Sequence, residues 1–322
     1  MIYDLIIIGG GPAAISAAIF AARKQLKTLL LTREFGGQLM EGYKIENYLG
    51  YWAISGVELV QKFVEHLKRF DKKASQGDFD LEIKEGETVL SIRLKQNEGD
   101  ERESKNFDTQ SNKENYQGKA IIIATGKSER KLEIPGAKEF EGKGISYCAT
   151  CDAPIFRDKI VAVIGAGDAG QDTVWQLTKY ASKIYLLNRY DELRGDDKEL
   201  RERLKKDKKV EILNEVEIIE ISGEKFVNGL VYRSFRTKEE RKINVNGIFV
   251  EIGSTPASMF LEGLLRCNDK GEIIINHDSC VTSVPGIFAA GDVTDALGKQ
   301  IIIAAGMGAK AALGAYNYLK NQ

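Results

Sequence analysis

Residues 146–152 read Ser-Tyr-Cys-Ala-Thr-Cys-Asp. Cys148 and Cys151, two residues apart and followed at once by Asp152, admit three kinds of chemistry: a metal clip, a structural staple or a redox couple. In a redox couple one thiol of lowered pKa attacks a partner disulfide and the other resolves the mixed disulfide. A zinc site needs two more ligands. His277 and Cys280 lie at a plausible spacing to supply them, so counting alone leaves a site of three cysteines and one histidine open. Asp152 argues against it, because a carboxyl at this place suits proton donation to thiol chemistry better than zinc ligation. Cys267 and Cys280 are expected to be buried thiols, and His66, in the helical pattern 57–70, a surface histidine.

Two glycine-rich turns supply a second kind of chemistry. Gly9-Gly10-Gly11-Pro12-Ala13-Ala14 follows the apolar run 5–8 and opens an alanine-rich helix to about Lys24, with a strand at 28–31 beyond it. The pattern returns as strand 160–164, then Gly165-Ala166-Gly167-Asp168-Ala169-Gly170, a helix through Tyr180 and strand 184–187. In that setting glycines let the backbone approach a pyrophosphate at the positive end of a helix. The plainer alternative for each is a tight strand-to-helix turn that holds no nucleotide. The acid that would bind ribose is not clean in the first unit, where Thr32 and Arg33 precede the candidate Glu34. In the second, residues 188–194 read Asn-Arg-Tyr-Asp-Glu-Leu-Arg. Arg189 and Arg194 there suit a 2′-phosphate, hence NADP rather than NAD, although Asp191 and Glu192 could neutralise them on a solvated loop. Two nucleotide sites and a dithiol form the parts of one device: a flavin accepts hydride from a nicotinamide on one side and passes electrons to sulfur on the other.

The elements that must position these residues give an α/β fold. At 322 residues the chain has room for two domains of ordinary size. Its 46 basic and 47 acidic residues are spread along the chain and nearly cancel, which removes any electrostatic case for nucleic acid or an anionic membrane as partner. The opening residues read straight into the strand at 5–8, and no apolar stretch is long enough to span a bilayer, so the expected location is the cytoplasm. Four cysteines are too few for a disulfide scaffold in a chain of this size. Each glycine unit is followed by a closing strand that ends in glycine: 120–124 before Thr125-Gly126, and 247–252 before Gly253. The polar stretch 95–117 reads as a solvated hairpin loop or a disordered insertion.

Taken together, Gly9-Gly10-Gly11-Pro12-Ala13-Ala14, Gly36-Gly37-Gln38-Leu39, Glu46-Asn47-Tyr48-Leu49-Gly50, Ala124-Thr125-Gly126, Cys148-Ala149-Thr150-Cys151-Asp152, and Gly291-Asp292 with Gln300-Ile301 resemble the low-molecular-weight, bacterial and archaeal type of thioredoxin reductase over nearly the whole chain. The resemblance implies two Rossmann-like domains, the second inserted into the first. On this basis the FAD-binding domain is expected at 1–127 and 249–322, and the NADPH-binding domain carrying the dithiol at 128–248. It also implies that Cys151 takes electrons from the flavin, Cys148 attacks thioredoxin and Asp152 shuttles the proton. Asp292 would bind the ribityl chain, and the helix from Gln300 would point its positive end at the flavin. A homodimer and a large rotation of the inserted domain are further implications. The chain departs from the family pattern for the 2′-phosphate, keeping Arg189 and Arg194 but carrying Asn188 and Tyr190, and its second glycine motif ends in Gly170 rather than alanine. Some relatives of this type draw electrons from ferredoxin, and that donor remains an alternative, as does a zinc-stabilised nucleotide-binding protein without catalysis.

Overall fold

The apolar run at the start of the chain forms β1 (Ile2–Ile8), whose residues from Leu5 onward are buried. A computed structural model describes residues 1–41, 45–73, 79–95, 106–195, 197–261 and 263–322. A strand buried on both faces needs helices over it and parallel neighbours beside it. Accordingly α1 (Pro12–Arg23) follows, and its buried face is almost entirely alanine. β2 (Thr28–Thr32) then returns parallel to β1, with Ile8 opposite Leu31. The chain continues through α2 (Gly56–Lys68), β3 (Leu81–Glu85), β4 (Val89–Lys95), β5 (Asn106–Ser111) and β6 (Asn115–Ile123), and reaches β7 (Lys127–Glu129).

A second run of elements begins with β8 (Ile145–Ser146), α3 (Ala149–Asp152), β9 (Ile160–Ile164), α4 (Asp168–Leu177) and β10 (Lys183–Leu187). It goes on through α5 (Lys198–Lys206), β11 (Val210–Leu213), β12 (Val216–Gly223), β13 (Val227–Ser234), β14 (Glu240–Ile243) and β15 (Gly247–Val250). β16 (Ser254–Pro256) leads out of it, towards β17 (Ile287–Ala289) and the long α6 (Ile301–Lys320).

These elements fall into two compact units, one of Met1–Ser128 with Thr255–Gln322 and one of Glu129–Ser254. The second division lies beyond the expected residue 248, because β15 pairs in parallel with both β9 and β8 and completes the sheet of the second unit. In the first unit the sheet runs β3-β2-β1-β6-β5-β4, and β6 also pairs with β17. In the second it runs β11-β10-β9-β15-β8, accompanied by the antiparallel ribbon β12-β13-β14.

Two expectations need correction. Residues 106–111 and 115–117 are not loop: they belong to β5 and β6, paired antiparallel from Phe107 opposite Gly118 to Gln110 opposite Asn115. Phe107, Thr109 and Ser111 on β5 are buried, so a polar-looking stretch still turns one face to the core, with a period of two. Residues 96–105 of that stretch lie outside the described residues. Cys280 is buried, but Cys267 is exposed, next to Arg266 and close to Asp269 and Lys270, which are exposed as well.

Candidate active site

Parallel strands deliver the residues that follow them to one edge of a sheet, and in doubly wound folds that carboxyl edge is where ligands bind. In the first unit the turns after β1, β2, β6 and β17 carry Gly9, Glu34, Ala124-Thr125-Gly126 and Gly291-Asp292, so the fold brings these predicted residues to one edge. Gly9 has φ +131°, and a Cβ there would lie 2.2 Å from the Ala124 carbonyl oxygen, so only glycine lets the first turn lean on the end of β6. Gly11 has open space where a side chain would stand. Glu34 is exposed and ion-paired with Arg33, while its backbone carbonyl accepts the Thr32 hydroxyl at 2.7 Å. Gly37, Gln38 and Leu39 form a short 3-10 turn, with Leu39 buried. Asn47 donates its side-chain amide to Gln300 Oε1 at 3.0 Å, joining two predicted residues far apart in sequence at the start of α6, where Ile301 begins the helix. The Thr125 hydroxyl donates to the Ala257 carbonyl at 2.7 Å.

Lys299 gave no signal in the sequence. Its ammonium donates to the carbonyls of Asp292 and Thr294 and pairs with Glu272 at 3.1 Å, which ties the Gly291-Asp292 turn to the start of α6.

Helix capping separates two classes of helix. Ser55, Cys148 and Asp197 cap α2, α3 and α5 with a side-chain acceptor. The helices α1, α4 and α6, which follow the two glycine turns and Gln300, carry no side-chain cap. Backbone N–H groups at such ends are satisfied by an anion as readily as by a cap. With the open space at Gly11 and Gly167, the two glycine turns fit the phosphates of dinucleotides.

In the second unit Gly165 follows β9, Asn188 and Arg189 follow β10, and Cys148 follows β8. The dithiol and the second glycine turn therefore lie along the same carboxyl edge of one sheet. A Cβ on Gly170 would stand 1.9 Å from the Gly165 carbonyl oxygen, so the third glycine is required by the close approach of α4 to its own turn. Asp168 and Ala169 open that helix. Gln171, 1% exposed, donates through Nε2 to the carbonyls of Ala166 at 2.9 Å and Arg194 at 2.6 Å, fastening the glycine turn to the arginine loop. Asn188 is equally buried and donates to the Glu192 carbonyl at 2.8 Å and to Asn214 Oδ1 at 2.9 Å. The guanidinium of Arg194 lies 3.4 Å from the Tyr190 ring centroid, and that of Arg189 lies 5.8 Å from Phe235.

Cys148 and Cys151 form a disulfide with a Cα–Cα distance of 5.3 Å, and the Cys151 N–H donates to Cys148 Sγ at 3.2 Å. Sulfurs joined in this way are not thiolates available to a metal. Among the described residues no group of three His, Cys, Asp or Glu is placed to hold a metal ion. The Asp152 carboxylate accepts a hydrogen bond from the Ser146 hydroxyl at 2.6 Å. Burial pushes its carboxyl above the usual range, and the Ser146 hydrogen bond offsets part of that rise.

Residues 3–308 match the family model described as pyridine nucleotide-disulphide oxidoreductase. The chain belongs to that family. Within it, a solved thioredoxin reductase from Streptococcus pyogenes superposes with a TM-score of 0.87 at 34% identity, covering 100% of this chain and 99% of that one. An alkyl hydroperoxide reductase subunit from Staphylococcus epidermidis is 37% identical over 98% of this chain and 59% of its own length. A protein named NADH dehydrogenase from Bacillus subtilis is 36% identical over 98% of this chain and 58% of its own. The chain thus spans about three fifths of these two curated relatives. Its fold is that of the thioredoxin reductases, with two Rossmann-like domains, and thioredoxin reductases of this family bind FAD and a nicotinamide nucleotide. No helix among the described residues is long and apolar enough to cross a membrane.

Proposed function

We propose that this oxidoreductase passes electrons from NADPH through FAD to the Cys148–Cys151 pair and from there to thioredoxin or a thioredoxin-like protein. The observation that carries the reading is the disulfide between Cys148 and Cys151, beside Asp152 and on the same sheet edge as the second glycine turn. When bound, FAD supplies the conversion of hydride transfer into two-electron reduction of a disulfide. Unit 1 would hold it, with Gly9, Gly11, Pro12 and Ala13 at the pyrophosphate, Glu34 at the ribose, and Asp292, Gln300 and Ile301 at the ribityl chain and ring. Gly37, Gln38, Leu39, Asn47 and the 124–126 turn would complete its walls. In unit 2, Gly165, Gly167, Asp168 and Ala169 would receive the nucleotide pyrophosphate, and Arg189 and Arg194 the 2′-phosphate. Cys148, whose sulfur already faces the Cys151 N–H, would be the attacking thiolate; Cys151 would take electrons from the flavin side, and Asp152 would move the proton. The working form would be a cytoplasmic homodimer.

The relatives named as an alkyl hydroperoxide reductase subunit and as NADH dehydrogenase favour a second reading, in which NADH is the donor and another redox protein the acceptor. An anaerobic titration of the yellow protein with NADPH, and with NADH and reduced ferredoxin in parallel, separates the two. Bleaching by near-stoichiometric NADPH supports the first reading; bleaching by NADH alone supports the second, and bleaching by ferredoxin alone overturns both. In either reading, Cys148→Ser and Cys151→Ser should each abolish disulfide reduction while FAD stays bound. Full activity in either variant would sink the dithiol assignment.

A further inference from the structure

The dithiol segment contains a side chain to which the roles above assign no part. Ser146 ends β8 and is 6% exposed. Its hydroxyl donates to Asp152 Oδ2 at 2.6 Å and accepts the Cys148 N–H at 3.1 Å. A hydroxyl has one proton to give. The Cys148 carbonyl, at 3.4 Å, is the more distant acceptor for it, so the shorter bond to the carboxylate takes it. The backbone of Ser146 is itself fixed, opposite Phe249 in the parallel pairing of β8 with β15. One buried hydroxyl therefore links the carboxylate to the main chain of the attacking cysteine, and the sheet sets the position of that hydroxyl.

We propose that Ser146 is a positioning residue for the proton step: it holds the Asp152 carboxyl in register with Cys148 while protons pass between that carboxyl and the thiols. This rests on the disulfide-reductase reading above. In the step it serves, the Cys148 thiolate bonds to one sulfur of the substrate disulfide, the substrate S–S bond breaks, and the departing thiolate takes a proton from Asp152. Cys151 then gives its proton to the Asp152 carboxylate, its sulfur attacks Cys148, and the second substrate thiolate leaves as the enzyme disulfide closes. The dithiol loses two electrons and the substrate disulfide gains them. Burial raises the Asp152 carboxyl above its usual range, and the Ser146 hydroxyl offsets part of that rise. A donor that prefers the ionised carboxylate lowers its pKa, so removing the hydroxyl must raise it.

The test is a single-turnover measurement on the FAD-containing enzyme, reduced with dithiothreitol, desalted and mixed with hydroxyethyl disulfide across a range of pH. No nicotinamide takes part, so an error in the assigned donor does not disturb this readout. The wild-type rate should fall at high pH along a limb that Asp152→Asn abolishes. In Ser146→Ala that limb should move up by about one pH unit, and the maximal rate should fall about ten-fold, as for loss of one hydrogen bond to a charged group. Ser146→Thr, which keeps the hydroxyl, should restore both. Adding Ser146→Ala to Asp152→Asn should slow the reaction no further, since the serine acts through the aspartate. Where the alanine variant does not fold, Ser146→Gly removes the same hydroxyl. A descending limb left at its wild-type pH in the hydroxyl-free variant would overturn the inference, and so would a wild-type profile without an Asp152-dependent limb.

Discussion

Arg194 stacks its guanidinium on the ring of Tyr190, the residue that replaces a family arginine in the 2′-phosphate pattern. Stacking engages the face of a guanidinium and leaves its in-plane N–H donors at the rim, where a phosphate can be met by two of them. Tyr190 is therefore compatible with a 2′-phosphate site. Asn188 instead serves the loop itself. It is buried, and its amide joins the Glu192 carbonyl to Asn214 while its oxygen accepts the Tyr190 N–H at 3.2 Å. In the sequence both residues register only as departures from a pattern, because nothing along the chain tells a loop asparagine in water from one that fastens a turn. Ser146 is similar, lying inside the most informative segment of the sequence with no property that marks it until Asp152 folds back on it. Arg194→Ala tests the site. A hydrogen bond to a charged group is worth about 1.5–3 kcal/mol, so the KM for NADPH should rise roughly ten- to hundred-fold while that for NADH stays unchanged. Equal losses for both nucleotides would remove Arg194 from the 2′-phosphate.

At the scale of elements, the two strand-turn-helix units were legible because a buried strand, a glycine turn and a small-residue helix leave a pattern that few other structures share. β1 and α1, and β9 and α4, begin and end within a few residues of where the spacing puts them. The strand β5 was hidden because its buried positions are filled largely by Thr109 and Ser111, whose polarity resembles that of a loop. Ser111 is satisfied in the core by donating to Glu87 at 2.8 Å, a partner that only the folded sheet provides. The end of the second glycine motif illustrates a constraint of a different kind. Alanine at position 170 would place its methyl 1.9 Å from the Gly165 carbonyl oxygen, so the turn or the helix must shift. Gly170→Ala should lower the stability of the protein by about 1–3 kcal/mol, the usual cost of overfilling a packed site, and should weaken nucleotide binding. Thermal melting and the KM for the nicotinamide nucleotide check this together. A variant with unchanged melting would mean that α4 can move away from its turn without penalty.

At the scale of the whole molecule, the chain leaves its first unit near Ser128 and returns to it at Thr255, so that α1 and α6 share a unit although they stand at opposite ends of the sequence. Composition and periodicity contain no trace of that return; the resemblance to a family supplied it, with its second boundary expected after residue 248, inside β15, six residues short of the division at Ser254. If unit 1 alone holds FAD, removal of the flavin should act on one unit. A ligand that binds only the folded state stabilises it by an amount that grows with its concentration over Kd, about 2.7 kcal/mol at a hundred-fold excess. The chain has two tryptophans, Trp52 in unit 1 and Trp175 in unit 2. Trp52 is 91% exposed and changes its surroundings little on unfolding, whereas Trp175 is 37% exposed and lies against Arg203, so tryptophan fluorescence follows unit 2. Calorimetry follows both units. Stripping FAD should lower the calorimetric transition by several degrees and leave the fluorescence transition in place, and adding NADPH to the stripped protein should raise the fluorescence transition. A fluorescence transition that falls on stripping as far as the calorimetric one would mean that the flavin also supports unit 2, and that the division of cofactors between the units is wrong.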